Sequence, residues 1–461
     1  MAAAPPRAGI EAWDAAFGAS MRALHRVVDA VGRRPVVSSV CGLAILALLS
    51  WYTAWHVPSS SWLFTSHYAV GFKDLIYRVA DIRRVQGGGP LYSPNDHLQY
   101  FVYPPAAAWL FWPLTWVVHA PTLQLLLYGK GEFRADLLWT FASLLALAAM
   151  LASLGRHTCG WRWPKAWAVS LLVGAPLATL VLQPVGVHLA LGQVGLFLAA
   201  AATFDILCVR NRARGFLTGV TAALKLYPIV YFVLFAMRKE WRALANAVGG
   251  LVATTALAWI VFPSDSATFF FHRLISGREL RHYWQNAHWI SSSSSLYTMF
   301  FRQPFTGSAI ERNIGFVLCV AVIALGVYAA WRQMKEGREV AAFLCVALAS
   351  TIGSPVAWDH YFIWVVFVPF VLVERGPLPW FRVVSLWLFV ITCLVPLRMA
   401  RNEDLSHKAY DWIFGVIFVA RNALTAVSLL WLIVACIPAR VPAVPQESAA
   451  STESHQARTA G

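Results

Sequence analysis

Stretches of about 17 to 25 mostly apolar residues, enough to cross a hydrocarbon core roughly 30 Å thick as an α-helix, recur along nearly the whole chain. They are read near 36–56, 102–119, 134–154, 166–182, 188–208, 243–262, 314–331, 339–354, 361–374, 380–398 and 412–436. In a bilayer every backbone N–H and C=O must be paired internally, which leaves helix bundles and closed barrels. Segments this long predict the first: an all-α polytopic membrane protein with about 11–12 transmembrane or half-membrane helices. The composition agrees, with 59% hydrophobic and 13% charged residues against about 25% charged in a soluble domain.

The net charge of +15 comes from basic residues scattered through short loops between apolar stretches, with no basic domain. Orientation on an anionic leaflet accounts for it, and no nucleic-acid partner is expected. The lipid bilayer itself is. Residues 1–35 carry Arg7, Arg22, Arg26, Arg33 and Arg34 with no cleavage pattern after the first span. They read as a cytoplasmic amphipathic leader before an uncleaved anchor, with the N-terminus inside. Residues 36–436 form the membrane domain, and the small, polar residues 437–461 read as a disordered tail. The seven cysteines lack CxxC spacing, so neither a disulfide framework nor a zinc site is suggested.

From this orientation, residues 57–101 form a first external loop, too long for a simple connector. Within it Leu75, Val79 and Ile82 recur at helical spacing beside Arg78, Asp81 and Arg83, predicting an amphipathic helix at the membrane interface. Farther on, "RNRARG" (210–215) and "RKEWR" (238–242) flank an apolar segment containing Lys225 and Pro228. Keeping both basic clusters inside requires a re-entrant hairpin broken at "KLYP". Each arm of about 11 residues would reach about 16 Å. Residues 263–313 then form a second large external loop. Five candidate spans precede Arg210, so one of 102–119, 166–182 and 188–208 is expected to be a half-span.

Four polar sites gather on the external side: Asp74, Lys225, the run Ser291–Ser295, and "SPVAWDHY" with Asp359 and His360. Ionisable groups at membrane depth point to function. Each also has a plain structural explanation. Asp74 suits a helix start, Lys225 can snorkel to a headgroup, His360 suits a structural histidine, and the serines suit a loop.

The ordered set "DLIY" (74–77), "GGGPLYSP" (87–94) and "FVYPPAAAWLFWPL" (101–114) resembles the start of glycosyltransferase family 87. "LALGQVGLFLAAAA" (189–202) is similar to its G-Q segment, "GVTAALKLYPIVYFVLFAMRKEW" (219–241) to its Lys-Pro block, "SLYTMFFR" (295–302) to the end of its serine loop, and "GSPVAWDHY" (353–361) to its S-P-x-x-W-x-H element. Two departures stand out. Ser293 and Ser294 occupy places where the family usually has Asn-Gln, and the tyrosine of "DLIY" sits one residue early.

The resemblance implies a GT-C fold and transfer of a sugar, mannose being the best-supported choice, from a polyprenyl-phosphate donor to a lipid or glycan acceptor outside the plasma membrane. It implies Asp74 as general base, with His360 the other candidate catalytic group and Lys225, Arg302 and Arg83 as donor-phosphate ligands. Tyr103, Gln193, Ser294, Ser295, Trp358 and Asp359 are the candidate substrate contacts. A single base fits single-displacement inversion, since double displacement requires two close carboxylates. No cofactor or metal is expected, and the enzyme is expected to act as a monomer. The rival class is a lipid or glycan transporter or flippase, which also combines many spans with broken helices; internal inverted repeats would favour it.

Overall fold

A computed structural model describes residues 23, 26–56, 73–92, 101, 103–119, 131–275, 309–354, 357–375, 378–394 and 411–438; at several helix ends it describes only the backbone. The expected leader before residue 23, the tail beyond 438, and Ser294, Ser295 and Arg302 lie outside the described residues.

The described chain is helical. α1 spans Pro35–His56, α2 Lys73–Gln86, α3 Ala108–His119 and α4 Gly131–Cys159. α5 (Trp163–Val169) runs through a π-helical turn into α6 (Ala175–Val181), followed by α7 (Gln183–Ala190) and α8 (Gly195–Leu207). α9 (Phe216–Leu224) is followed by a 3-10 turn at Tyr227–Tyr231 and α10 (Phe232–Met237), then α11 (Trp241–Val261) and α12 (Pro263–Ala267). A π-helical stretch at Thr268–Ile275 leads out of α12. α13 spans Ala309–Lys335 and α14 Glu339–Ile352; a 3-10 segment at Asp359–Phe367 continues into α15 (Val368–Val373), and α16 (Trp380–Thr392) and α17 (Asp411–Cys436) complete the bundle.

Five helical stretches among the described residues are long and apolar enough to cross a membrane: Pro35–Thr53, Ala135–Cys159, Trp163–Val181, Trp241–Val261 and Asn313–Lys335. Other apolar segments read as spans are shorter or broken. The stretch 188–208 is split by a turn between Ala190 and Gly195, and 102–119 yields a helix of 12 residues with Pro113 inside it. Gly and Pro interrupt the backbone ladder there, as membrane helices tolerate where protein surrounds the break. α14 is apolar on every face, and all residues from Val340 to Ile352 are buried. Such a helix forms the bundle centre rather than facing lipid. It packs on α13, α17 and the two 3-10 segments.

The segment around "KLYP" turns back on itself. Arg214 Nη2 and Arg238 Nη1 both donate to Ile206 O, at 2.6 and 3.1 Å. The two basic clusters therefore meet, and the chain between them goes in and returns. The buried Asp205 carboxylate fixes the start of the inward arm, accepting from Gly215 N, Thr218 N and Thr218 Oγ1 at 2.8 Å each. The arm then lies tightly against α11. A Cβ on Gly219 would sit 2.0 Å from Ala247 O, the small-residue packing that lets membrane helices approach closely. Gly219→Ala is therefore expected to destabilise the fold by roughly 1–3 kcal/mol or more, the cost of overpacking. It should appear as a lower midpoint for loss of the monodisperse peak when detergent-solubilised protein is heated.

α2 departs from the sequence expectation. Its stripe of Leu75, Val79 and Ile82 is buried, but against protein: these side chains join Phe101, Tyr103, Phe111, Val194, Leu198 and Leu224 in one apolar cluster. The aromatics of "FVYPP" and α3 cover the face assigned to the interface. α2 is thus seated on the bundle, beside the break at Lys225.

Candidate active site

Lys225 stands where α9 stops. Its backbone is extended, at φ −155° and ψ 123°. Pro228 lacks an N–H and pre-sets its own φ, which favours the new turn over continuation of the helix. The ammonium is placed among three rings, 4.3 Å from the centroid of Tyr361, 5.4 Å from Tyr103 and 5.6 Å from Tyr227. Aromatic faces compensate a desolvated cation electrostatically.

Three other segments supply those neighbours. Tyr103 precedes Pro104, a context that biases it to extended backbone, and its hydroxyl donates to Gln193 Oε1 at 2.8 Å. Gln193 lies in the turn between α7 and α8, made possible by Gly192 at φ 61°. Tyr361 follows His360 at the start of the 3-10 segment, and their ring centroids are 4.7 Å apart. His360 is 5% exposed, and its Nε2 is buried with no protein hydrogen-bond partner. A buried polar atom left in that state costs about 1–3 kcal/mol, so it is a natural place for a ligand oxygen. Trp358 and Asp359 enter from the same segment, Asp359 Oδ2 accepting from Gln183 Nε2 at 3.3 Å.

α2 closes one side. Arg78 lies over Tyr103 at 5.9 Å and over Phe101 at 5.7 Å, and donates to Asp81 at 3.1 Å. Arg84 pairs with the other carboxylate oxygen. Burial lifts the Asp81 carboxyl to about 6 even though Arg78 and Arg84 pull it down, so this cluster is complete at neutral pH. Arg273 reaches over from the 268–275 stretch, donating to Phe101 O at 2.9 Å with its guanidinium 4.5 Å from the Tyr92 ring. Asp265 Oδ1 accepts from Leu91 N at 2.9 Å, and burial raises its carboxyl above the usual range. The segments 73–92 and 263–275 are thereby tied to each other.

Of the residues singled out by sequence, the structure brings Tyr103, Gln193 and Lys225 together, with His360 next to the Tyr361 ring that faces the lysine; Trp358 and Asp359 precede His360 in the chain. Asp74 is the second residue of α2, one helical turn before Arg78, and its side chain lies outside the described residues. Arg83 sits about 140° around the helix from Arg78, on a different face from the residue that touches the site. Sequence reading passed over Arg78, His188, Tyr227 and Tyr361. The missed signal for His188 was plain enough: an ionisable residue inside the apolar run "GVHLALG".

The model of glycosyltransferase family 87 matches residues 101–355, more than half of the chain. The chain belongs to glycosyltransferase family 87. It is a membrane glycosyltransferase. Tyr103, Gln193, Lys225 and Arg302 fall within the matched family 87 region, while Asp74, Trp358, Asp359 and His360 lie beyond its ends. A polyprenol-phosphate-mannose-dependent alpha-(1-2)-phosphatidylinositol mannoside mannosyltransferase of Mycobacterium tuberculosis is 29% identical over 377 residues, 76% of this chain and 81% of its own length. A protein of the same description from Mycolicibacterium smegmatis is 28% identical over 74% of this chain and 83% of its own. A polyprenol-phosphate-mannose-dependent alpha-(1-2)-phosphatidylinositol pentamannoside mannosyltransferase of that organism is 24% identical, over 70% and 72% respectively. No solved structure matches this family 87 member.

Proposed function

We propose that this glycosyltransferase moves a mannosyl residue from a polyprenyl-phosphate-mannose donor to a hydroxyl of a mannose-bearing phosphatidylinositol lipid, on the outer face of the plasma membrane. The observation that carries the reading is the pairing of Lys225, ringed by tyrosines, with the unpartnered buried Nε2 of His360. A cation and a nitrogen lacking a partner suit a phosphate oxygen. The relatives' donor supplies such a group, and their acceptor is the lipid mannoside.

The reaction is a single displacement. The acceptor hydroxyl attacks the anomeric carbon as the Asp74 carboxylate takes its proton. The bond from that carbon to the phosphate oxygen breaks, and polyprenyl phosphate leaves with the electron pair. Lys225 balances the charge that collects there, as preorganised cations do in a dry site. Tyr103, Trp358 and Gln193 line the sugar's position, and the Gln183 amide on Asp359 favours an orienting role for that carboxylate over a nucleophilic one. Arg302, Ser294 and Ser295 of the second external loop are assigned to donor and acceptor contacts by their place in the family motif. Arg83 is assigned more weakly to donor phosphate. The enzyme is proposed to act as a monomer.

The test is transfer without a membrane. Purified protein in detergent, given polyprenyl-phosphate-mannose and a phosphatidylinositol mannoside, is expected to yield the acceptor lengthened by one hexose, read by mass spectrometry. A transporter has no two sides to work between in a micelle and would leave both lipids unchanged. That outcome, with protein still folded, would sink the proposal.

A further inference from the structure

We infer that His188 is a positioning residue: its imidazole joins the turn bearing Gln193 to the segment bearing His360 and so sets the direction of the His360 ring. The inference rests on the site reading above, because it acts through His360.

His188 is 1% exposed and lies near the end of α7. Leu196 N donates to its Nε2 at 3.1 Å. Leu196 is in the first turn of α8, where backbone N–H groups lack intrahelical acceptors, and Val194 before it offers no side-chain cap. The imidazole caps that helix from outside. Nδ1 is 3.3 Å from the carbonyl oxygen of His360 and Nε2 3.0 Å from that of Gln193, so each ring nitrogen faces a backbone oxygen of one segment. A proton on Nδ1 suits Leu196 N–H and His360 O together, and a proton on Nε2 suits Gln193 O; in either form the ring lies against the residue that receives the Tyr103 hydroxyl. The His188 and His360 rings meet edge to face, 6.0 Å between centroids. One side chain thus touches the peptide of His360, its ring, and the turn that orients Tyr103 beside Lys225.

Gly195 supplies an independent handle. A Cβ built there would lie 2.7 Å from His188 Cε1, and its three nearest atoms all belong to that ring. The ring is buried and held at both nitrogens, so it cannot swing away. Alanine suits the first turn of a helix better than glycine does, so any loss in Gly195→Ala reports displacement of the imidazole.

The experiment measures mannosyl transfer and thermal stability on full-length protein in detergent, with polyprenyl-phosphate-mannose and phosphatidylinositol mannoside as probes. His188→Ala and Gly195→Ala are each expected to lower turnover about 10- to 100-fold, the scale of a misplacement of about 1 Å. His188→Asn keeps a donor near the Nδ1 position and is expected to recover part of the loss. Adding His188→Ala to His360→Ala should cost no further activity, although any loss of stability should still add. Adding it to Gly195→Ala should make the glycine change nearly silent. Multiplying losses in the His188/His360 pair, or wild-type turnover in Gly195→Ala, would overturn the positioning role alone. Full activity of His360→Ala would overturn the site reading and this inference with it.

Discussion

Asp74→Asn is expected to reduce mannosyl transfer by about 100- to 10,000-fold, the usual worth of a general base, while leaving the yield of folded protein unchanged. The substitution keeps size and polarity and removes only the ability to take a proton. Its place follows from α2, whose Leu75, Val79 and Ile82 are seated in the cluster that contains Tyr103 and Leu224. Arg78 follows Asp74 by four positions, so the two occupy adjacent turns of one helix face, and Arg78 lies over the Tyr103 ring. The check is product formed per mole of folded enzyme in membranes, with the donor saturating. Near-wild-type turnover would remove Asp74 from the chemistry and return it to the role of a first-turn helix residue.

Lys225→Met is expected to cost about 100- to 1,000-fold in turnover, comparable to deleting one preorganised charge-stabilising donor. The donor's phosphodiester carries one negative charge, and the departing phosphate monoester gains a second. An ammonium at that position holds the transition state more strongly than the ground state, so kcat should fall more than the donor KM rises. Methionine fills the same length of apolar stem between Tyr103, Tyr227 and Tyr361, which separates the charge from the packing. Lys225→Arg keeps the charge but brings a wide planar head and is expected to fall between the two. A rise in KM alone, with kcat unchanged, would make Lys225 a uniform binder of the donor. Loss of protein with no change in specific activity would make it structural.

What could be read from the sequence divides along physical lines. The break at Lys225 was legible because Pro228 and two flanking basic clusters constrain the backbone and its orientation together, and both clusters do meet at Ile206 O. The amphipathic pattern of α2 was legible as a pattern, but not its partner: Leu75, Val79 and Ile82 are equally suited to lipid and to protein, and only the folded position of Phe101 and Phe111 decides. Likewise α14 reads as a span because hydropathy reports burial from water without saying what replaces the water. Lys225 and His360 stood out as ionisable groups in apolar surroundings, and Gln193 through the resemblance to the family's G-Q segment. His188 satisfies the same rule, yet its role depends on Leu196 N and His360 O, backbone atoms that a sequence pattern does not place. Tyr227 and Tyr361 were hidden among 14 tyrosines because ring placement around a cation is a tertiary property.

The most direct measurement is a cryo-EM structure of the Asp74→Asn protein with polyprenyl-phosphate-mannose bound. The account predicts the donor phosphate against Lys225 Nζ and His360 Nε2, each about 3 Å from an oxygen, with the anomeric carbon turned toward the start of α2. A phosphate seated instead at the opposite end of the bundle, among Arg214, Arg238 and Arg382, would contradict it.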